Sequence, residues 1–218
     1  MILIPVKILK NAKQRLSPIL DQPARFALAQ AMIQDVAEVL GAWADRPEVT
    51  LVTSDPFALD LAQQFDFQVI PDDFNRSETD AIEMATHIVM ERGVKFSFVI
   101  PGDIPLLTVN DMRAVLDAAP TAGSVLVPAA DGRGTNAALR RPADLFPLRF
   151  GNDSFKPHHA VAQATSKSCV VLTLPGIAVD VDNPVDLQQI MSLPGDTRAQ
   201  RLARGWNLSA NLFTADAV

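Results

Sequence analysis

Along the chain, short aliphatic runs alternate with longer stretches in which apolar residues recur every three or four positions. Residues 2–8 are aliphatic and often β-branched, which predicts a buried opening strand. Residues 9–21 are polar and rich in Lys and Arg, and read as a loop. Pro23 stands where a helix can begin, because its missing N–H would have no partner there anyway. Leu28, Met32, Val36, Val39 and Trp43 then fall on one helical face. Residues 49–53 predict a second strand, 57–65 a helix and 67–70 a third strand. A polar, turn-like segment (71–78) leads into a helix expected over 79–92, with Gly93 as its stop. Residues 96–100 read as a strand broken by Pro101. Met112, Val115 and Leu116 mark a helix with Asp111 near its start, capped by Thr108 or Asn110. Residues 125–127 are a strand, 130–135 a glycine-rich turn, 170–174 and 177–181 strands, and 184–191 a helix.

Strands separated by helices predict an α/β fold, a mostly parallel sheet with helices on both faces. Such sheets bind ligands at the carboxyl ends of their strands. That rule directs attention to residues 7–17, 53–55, 101–105, 131–136 and 180–183.

Composition narrows the function classes. The 218 residues carry 19 basic against 25 acidic side chains, a net charge of −6, which argues against a nucleic-acid coating protein. There is no polybasic membrane segment, and no apolar run reaches the roughly 18 residues of a spanning helix. The single cysteine, Cys169, can form neither an internal disulfide nor a thiolate metal site. With no signal-like N-terminus, the expectation is a soluble, cytoplasmic protein.

Lys7, Lys10, Lys13 and Arg15 form the densest basic patch of an acidic chain. The patch follows the first strand, where phosphate loops sit in α/β folds, although the Gly-x4-Gly-Lys-Ser/Thr pattern is absent. Asp103 leaves an apolar strand between Pro101 and Pro105. It lies too early to cap the next helix, which favours a role as ligand to a hard cation such as Mg²⁺. In 180–186, strand alternation would put Asp180 and Asp182 on one face. Asp182 stands at the strand end, whereas Asp186 suits the first turn of the next helix, where the dipole stabilises a negative charge. Asp131-Gly132-Arg133-Gly134-Thr135-Asn136 permits either an anion nest or a plain hairpin turn. Asp153 or Ser154 suits the N-cap of a helix running through His158 to Ala164. Adjacent His158 and His159 do not share a helix face, so they are not read as zinc ligands.

Taken in order, Ile4-Pro5-Val6-Lys7, Lys13-Gln14-Arg15-Leu16-Ser17, residues 101–107, residues 131–136, Phe150-Gly151-Asn152-Asp153-Ser154-Phe155 and residues 180–187 form a set. This set resembles the CofC/FbiD family of guanylyltransferases, over residues 2 to about 190. Those enzymes join GMP from GTP to a small phosphorylated acid in the biosynthesis of the deazaflavin coenzyme F-420. The resemblance implies a single-domain, Rossmann-like fold of the nucleotide-diphospho-sugar-transferase type over residues 1–193, followed by a tail, 194–218. It implies Asp103 and Asp182 as ligands of Mg²⁺, and Thr135, Gly151 and Ser154 as contacts to the acceptor acid. Lys7, Lys13 and Arg15 fall where the triphosphate would lie. Glu78-Thr79-Asp80-Ala81 departs from the family's usual Leu-Asn and a small residue, and is closer to some cytidylyltransferases. Asp80 is the nucleotide contact expected in that segment.

The implied partners are GTP and phosphoenolpyruvate, 2-phospho-L-lactate or 3-phospho-D-glycerate, with a homodimer left open. A phosphate nucleophile is already ionised near neutral pH and needs no general base. Two alternatives stand beside this reading: a cytidylyltransferase for a phospho-sugar or sugar acid, and a nucleotide-binding module without activity. In the tail, Arg198, Arg201 and Arg204 recur at steps of three and suggest one exposed helical face.

Overall fold

The computed structural model describes residues 1–151, 153–206 and 208. Among these, seven strands form one sheet in the order β3-β2-β1-β4-β6-β5-β7. The strands are β1 (Ile2–Pro5), β2 (Val49–Val52), β3 (Gln68–Ile70), β4 (Ser97–Val99), β5 (Gly123–Pro128), β6 (Thr135–Arg141) and β7 (Ser168–Val171). β1 pairs in parallel with β2 and β4, β2 with β3, and β5 with β7. Only β6 runs antiparallel, between β4 and β5.

The helices are α1 (Gln22–Ala42), α2 (Pro56–Phe65), α3 (Glu78–Glu91), α4 (Val109–Asp117), α5 (Phe155–Ala164), α6 (Pro175–Ala178), α7 (Pro184–Ser192) and α8 (Arg198–Gly205). Local chemistry sets their starts. Asp21, Asp55 and Ser77 accept hydrogen bonds from the first free N–H groups of α1, α2 and α3, and Thr108 forms a capping box with Asp111 at α4. Asp186 completes the same device with Asn183 at α7, as the dipole argument anticipates. Three apolar clusters hold the layers together. One packs α1, α2 and α4 on one face of the sheet around Ile4, Leu51, Phe98 and Leu139. The second puts α3 and α5 on the other face. The third joins α1, α7 and α8 through Leu28, Met32, Val181, Ile190 and Ala203.

Three readings from the pattern need correction. Residues 135–141 are a central strand that the pattern does not reveal. The segment is Ala-rich and ends in two arginines, so it lacks the β-branched signature. Arg140 is nevertheless buried, and donates to Ser97 Oγ, Thr86 Oγ1 and the Phe146 carbonyl. Residues 177–181 are not a strand. They begin in the helical turn α6 and continue as extended chain, with Val179 and Val181 in the third cluster. The loop 9–21 contains two short 3₁₀ turns, Leu9–Asn11 and Gln14–Leu16.

In the segment read as a tail, α8 packs on α1. Asp35 of α1 accepts from the backbone N–H groups of Arg198 and Ala199 at 2.8 and 2.9 Å. Arg198 and Arg201 are exposed, while Arg204 reaches the carbonyls of Met191, Leu193 and Gly195. Residues 207 and 209–218 lie outside the described residues, as does Asn152. No helix among the described residues is long and apolar enough to cross a membrane.

Candidate active site

The loops after β1 and β4, the β5–β6 turn, the turn before α5 and the chain before α7 open onto one cleft of about 680 Å³. A smaller recess of about 200 Å³ adjoins it, between the loop after β1 and Pro101–Asp103. Of the five strand-end loops singled out above, only 53–55 stays off both linings. There Thr53 Oγ1 donates to the Val6 carbonyl, and the Asp55 carboxylate accepts from Leu9, Phe57 and Ala58 N–H.

One end of the cleft is a charge cluster. Lys13 takes a left-handed backbone, φ 56°, and its side chain is 8% exposed. Its Nζ donates to Asp103 Oδ2 at 2.5 Å and to Asp182 Oδ1 at 2.9 Å. Arg15 Nη1 stands 3.7 Å from Asp182 Oδ2. Burial alone would lower the pKa of Lys13, but Asp103 and Asp182 more than offset this and raise it. The Lys13 charge in turn holds Asp182 below the ordinary carboxylate range. Two more acids border the cluster. Burial, then the charges of Asp103 and Asp182, push Glu78 up to about 8. Burial and Asp103 push Asp180 up to about 6. Asn136 Nδ2 clasps Asp180 Oδ1 at 2.9 Å and the carbonyls of Ile177 and Ala178 at 3.0 Å, tying 177–180 to β6.

The two aspartates expected to bind a metal thus meet at one cation, here the Lys13 ammonium. Mg²⁺ favours one or two carboxylates with substrate phosphates and water. Asp103 and Asp182 fit that donor set. Among the described residues, no three His, Cys, Asp or Glu side chains form a metal-holding group, so the remaining ligands would be water and substrate oxygens.

The other end is neutral. Ser154 stands at the N-cap of α5 but does not cap it. Its Oγ accepts from Thr135 N–H at 3.1 Å and lies 3.4 Å from Thr135 Oγ1. Gly151 lines the cleft with φ +140°, a conformation that side chains rarely adopt. Thr79 Oγ1 accepts from Phe150 N–H at 2.9 Å, so α3 pins the turn that carries Gly151. At the rim, Arg133 and Asp153 form an exposed two-pronged ion pair at 2.6 and 3.1 Å.

The site residues read from sequence divide clearly. Asp103, Asp182, Arg15, Thr135, Gly151 and Ser154 share the main cleft. Lys7 and Lys13 line the smaller recess, and Lys7 Nζ is paired with Asp72 at 2.7 Å. Lys13 is held by both aspartates, with its side chain 8% exposed. Asp80 is exposed, bonds to Ser77 and lies on neither lining. Glu78, two residues earlier, lies on both.

The sequence pattern of the "Guanylyl transferase CofC like" family matches residues 1–214. The chain belongs to this family. It is 36% identical over 196 residues to a phosphoenolpyruvate guanylyltransferase of Chloroflexus aggregans, covering 86% of this chain and 95% of the relative. It is 33% identical over 204 residues to a 2-phospho-L-lactate guanylyltransferase of Methanothermobacter thermautotrophicus, covering 93% and 88%. CMP:2-keto-3-deoxy-manno-octonic acid synthetase, solved with CTP, superposes with a TM-score of 0.57 at 15% identity, covering 87% of this chain and 95% of that one. That likeness concerns the fold alone.

Membership in a guanylyltransferase family sets the cytidylyltransferase alternative behind the main reading. Sequence reasoning missed Glu78, Asn136, Thr79 and His158 as parts of the site. Glu78 had a signal, since it opens the segment 78–81 singled out above as a departure from the family's usual pattern. The other three are recognisable only from their partners.

Proposed function

We propose that this guanylyltransferase transfers GMP from GTP to the phosphate of phosphoenolpyruvate, 2-phospho-L-lactate or 3-phospho-D-glycerate, releasing pyrophosphate, in F-420 biosynthesis. The observation that supports it best is the single cleft joining the Asp103–Asp182 pair to the neutral Thr135–Ser154 corner. An acceptor oxygen attacks the α-phosphorus, and pyrophosphate leaves in line. The residues contribute position and charge rather than a base, as in other phosphoryl transfers. Asp103 and Asp182 would hold Mg²⁺, whose charge, when bound, would offset that of the reacting phosphate. Arg15, at the cleft wall, faces the leaving pyrophosphate, and the Thr135, Gly151 and Ser154 corner orients the acid. The test is product mass after incubating the protein with GTP, Mg²⁺ and each acid in turn. A GMP adduct with one of them is expected; no adduct with any would overturn the reading.

A further inference from the structure

His158 is 1% exposed and the mechanism above gives it no task. Its surroundings fix its hydrogens. The backbone N–H of Arg149 donates to His158 Nε2 at 2.7 Å, so Nε2 carries a lone pair. The neutral ring then has its proton on Nδ1, which lies 2.9 Å from Thr135 Oγ1 and donates to it. Protonating Nε2 would set two donors against each other. Burial, followed by the Arg140 charge, holds the imidazole pKa down at about 4, in keeping with a ring that stays neutral. Phe150 packs its edge against the ring, with centroids 5.4 Å apart.

The consequence falls on the two hydroxyls. Thr135 Oγ1 receives a proton from the imidazole, and so gives none to it. Ser154 Oγ already receives the Thr135 N–H. Across the 3.4 Å between the hydroxyls, one proton can be shared, in either direction. One hydroxyl proton is therefore left over, and both side chains line the cleft. With the opposite tautomer, Thr135 would donate to the ring instead, and the corner would present lone pairs to an anion.

We infer that His158 is a positioning residue: locked by the Arg149 N–H as the Nδ1–H tautomer, it turns the Thr135–Ser154 hydroxyl pair into a donor for an anionic oxygen of the acceptor acid. The inference rests on the acceptor reading of that corner and adds the group that sets its polarity. It also explains why a histidine is useful where no general base is required.

The test is a double-mutant cycle in steady-state kinetics, varying acceptor and GTP separately. His158→Gln removes the group at the Nδ1 position, while His158→Asn keeps an amide N–H near it. His158→Gln is expected to raise the acceptor KM about tenfold, the loss of one hydrogen bond to a charged group. The GTP KM should stay within about twofold, and His158→Asn should recover most of the loss. In a Thr135→Val background, His158→Gln should add nothing, because the residue acts through that hydroxyl. Additive effects, or equal rises in both KM values, would overturn the inference while leaving the guanylyltransferase reading intact. Imidazole ¹⁵N NMR of the wild-type protein supplies a readout independent of turnover and of variant folding. A bare Nε2 with protonated Nδ1 supports the inference, and the reverse tautomer sinks it. Failure of the wild-type protein to turn over any acid would count against the functional reading alone.

Discussion

The two ends of the cleft are built on opposite principles. Around Lys13 and Arg15, the carboxyl groups of Asp103, Asp182, Glu78 and Asp180 gather, and burial, followed by repulsion from Asp103 and Asp182, raises the pKa values of Glu78 and Asp180. Around Thr135 the contacts are between neutral groups, with the Arg133–Asp153 pair at the rim, and three backbone donors are each held by a side chain: Arg149 N–H on His158, Thr135 N–H on Ser154, Phe150 N–H on Thr79. At the charged end Lys13 and Arg15 stand against more carboxyl groups than they can neutralise, so a bound cation would change its balance of charge. The neutral end is ordered by these contacts within the chain. In the proposed function, charge would select the nucleotide, and preset dipoles would select and orient the smaller acid.

The largest expected effect comes from the centre of the charged end. Asp103→Asn removes one of the two carboxylates that converge on Lys13. Turnover with GTP and Mg²⁺ should fall about a thousandfold or more, with an unchanged circular-dichroism spectrum. Near-wild-type turnover would show that the charged end is not the reacting end.

Lys13→Met leaves Asp103 and Asp182 facing each other without their buried partner. A loss of about 2 kcal/mol is expected, less than for a fully buried pair because both carboxylates retain some contact with water. Adding Mg²⁺ should recover part of the melting temperature, and an equal loss with and without Mg²⁺ would speak against a cation site.

Glu78 gives the comparison a pH dependence. Its carboxyl is pushed up from 4.5 to about 8, so between those values the folded chain keeps a proton that the unfolded chain has lost. Stability from this group is full below pH 4.5 and is lost as pH rises through 8. Without divalent cations, Glu78→Gln should gain about 3 °C or more over wild type at pH 9 and little at pH 4. A gain independent of pH would remove Glu78 from the electrostatics of the cluster. The smallest effect belongs to the exposed rim: Arg133→Ala should leave the melting temperature within about 1 °C of wild type.

Much of the fold was legible because it rests on local chemistry. The aliphatic runs became β1, β2 and β4, and Gly93 takes φ +76° at the end of α3. The prolines flanking Asp103 held it at a strand end, and it lines the cleft as that position implies. β6 was not legible. Its buried arginine reads as surface until Ser97, Thr86 and the Phe146 carbonyl come together around it. Residues 177–181 kept the alternation of a strand without becoming one. Asp180 and Asp182 still reach the cleft while Val181 between them turns into the core, because extended chain alternates with or without a neighbour.

By itself the sequence determined most of the strands, most of the helix starts and the family, since each depends on neighbours a few residues away or on motifs in a fixed order. Only the tertiary structure decided what those groups face. It paired Lys13 with Asp103 and Asp182 across 90 and 169 residues, brought Glu78 rather than Asp80 to the cleft, and set His158 against Thr135. A charge or a ring nitrogen takes its role from the partners within hydrogen-bond reach, and in this sheet those partners come from strands and loops distant in the chain.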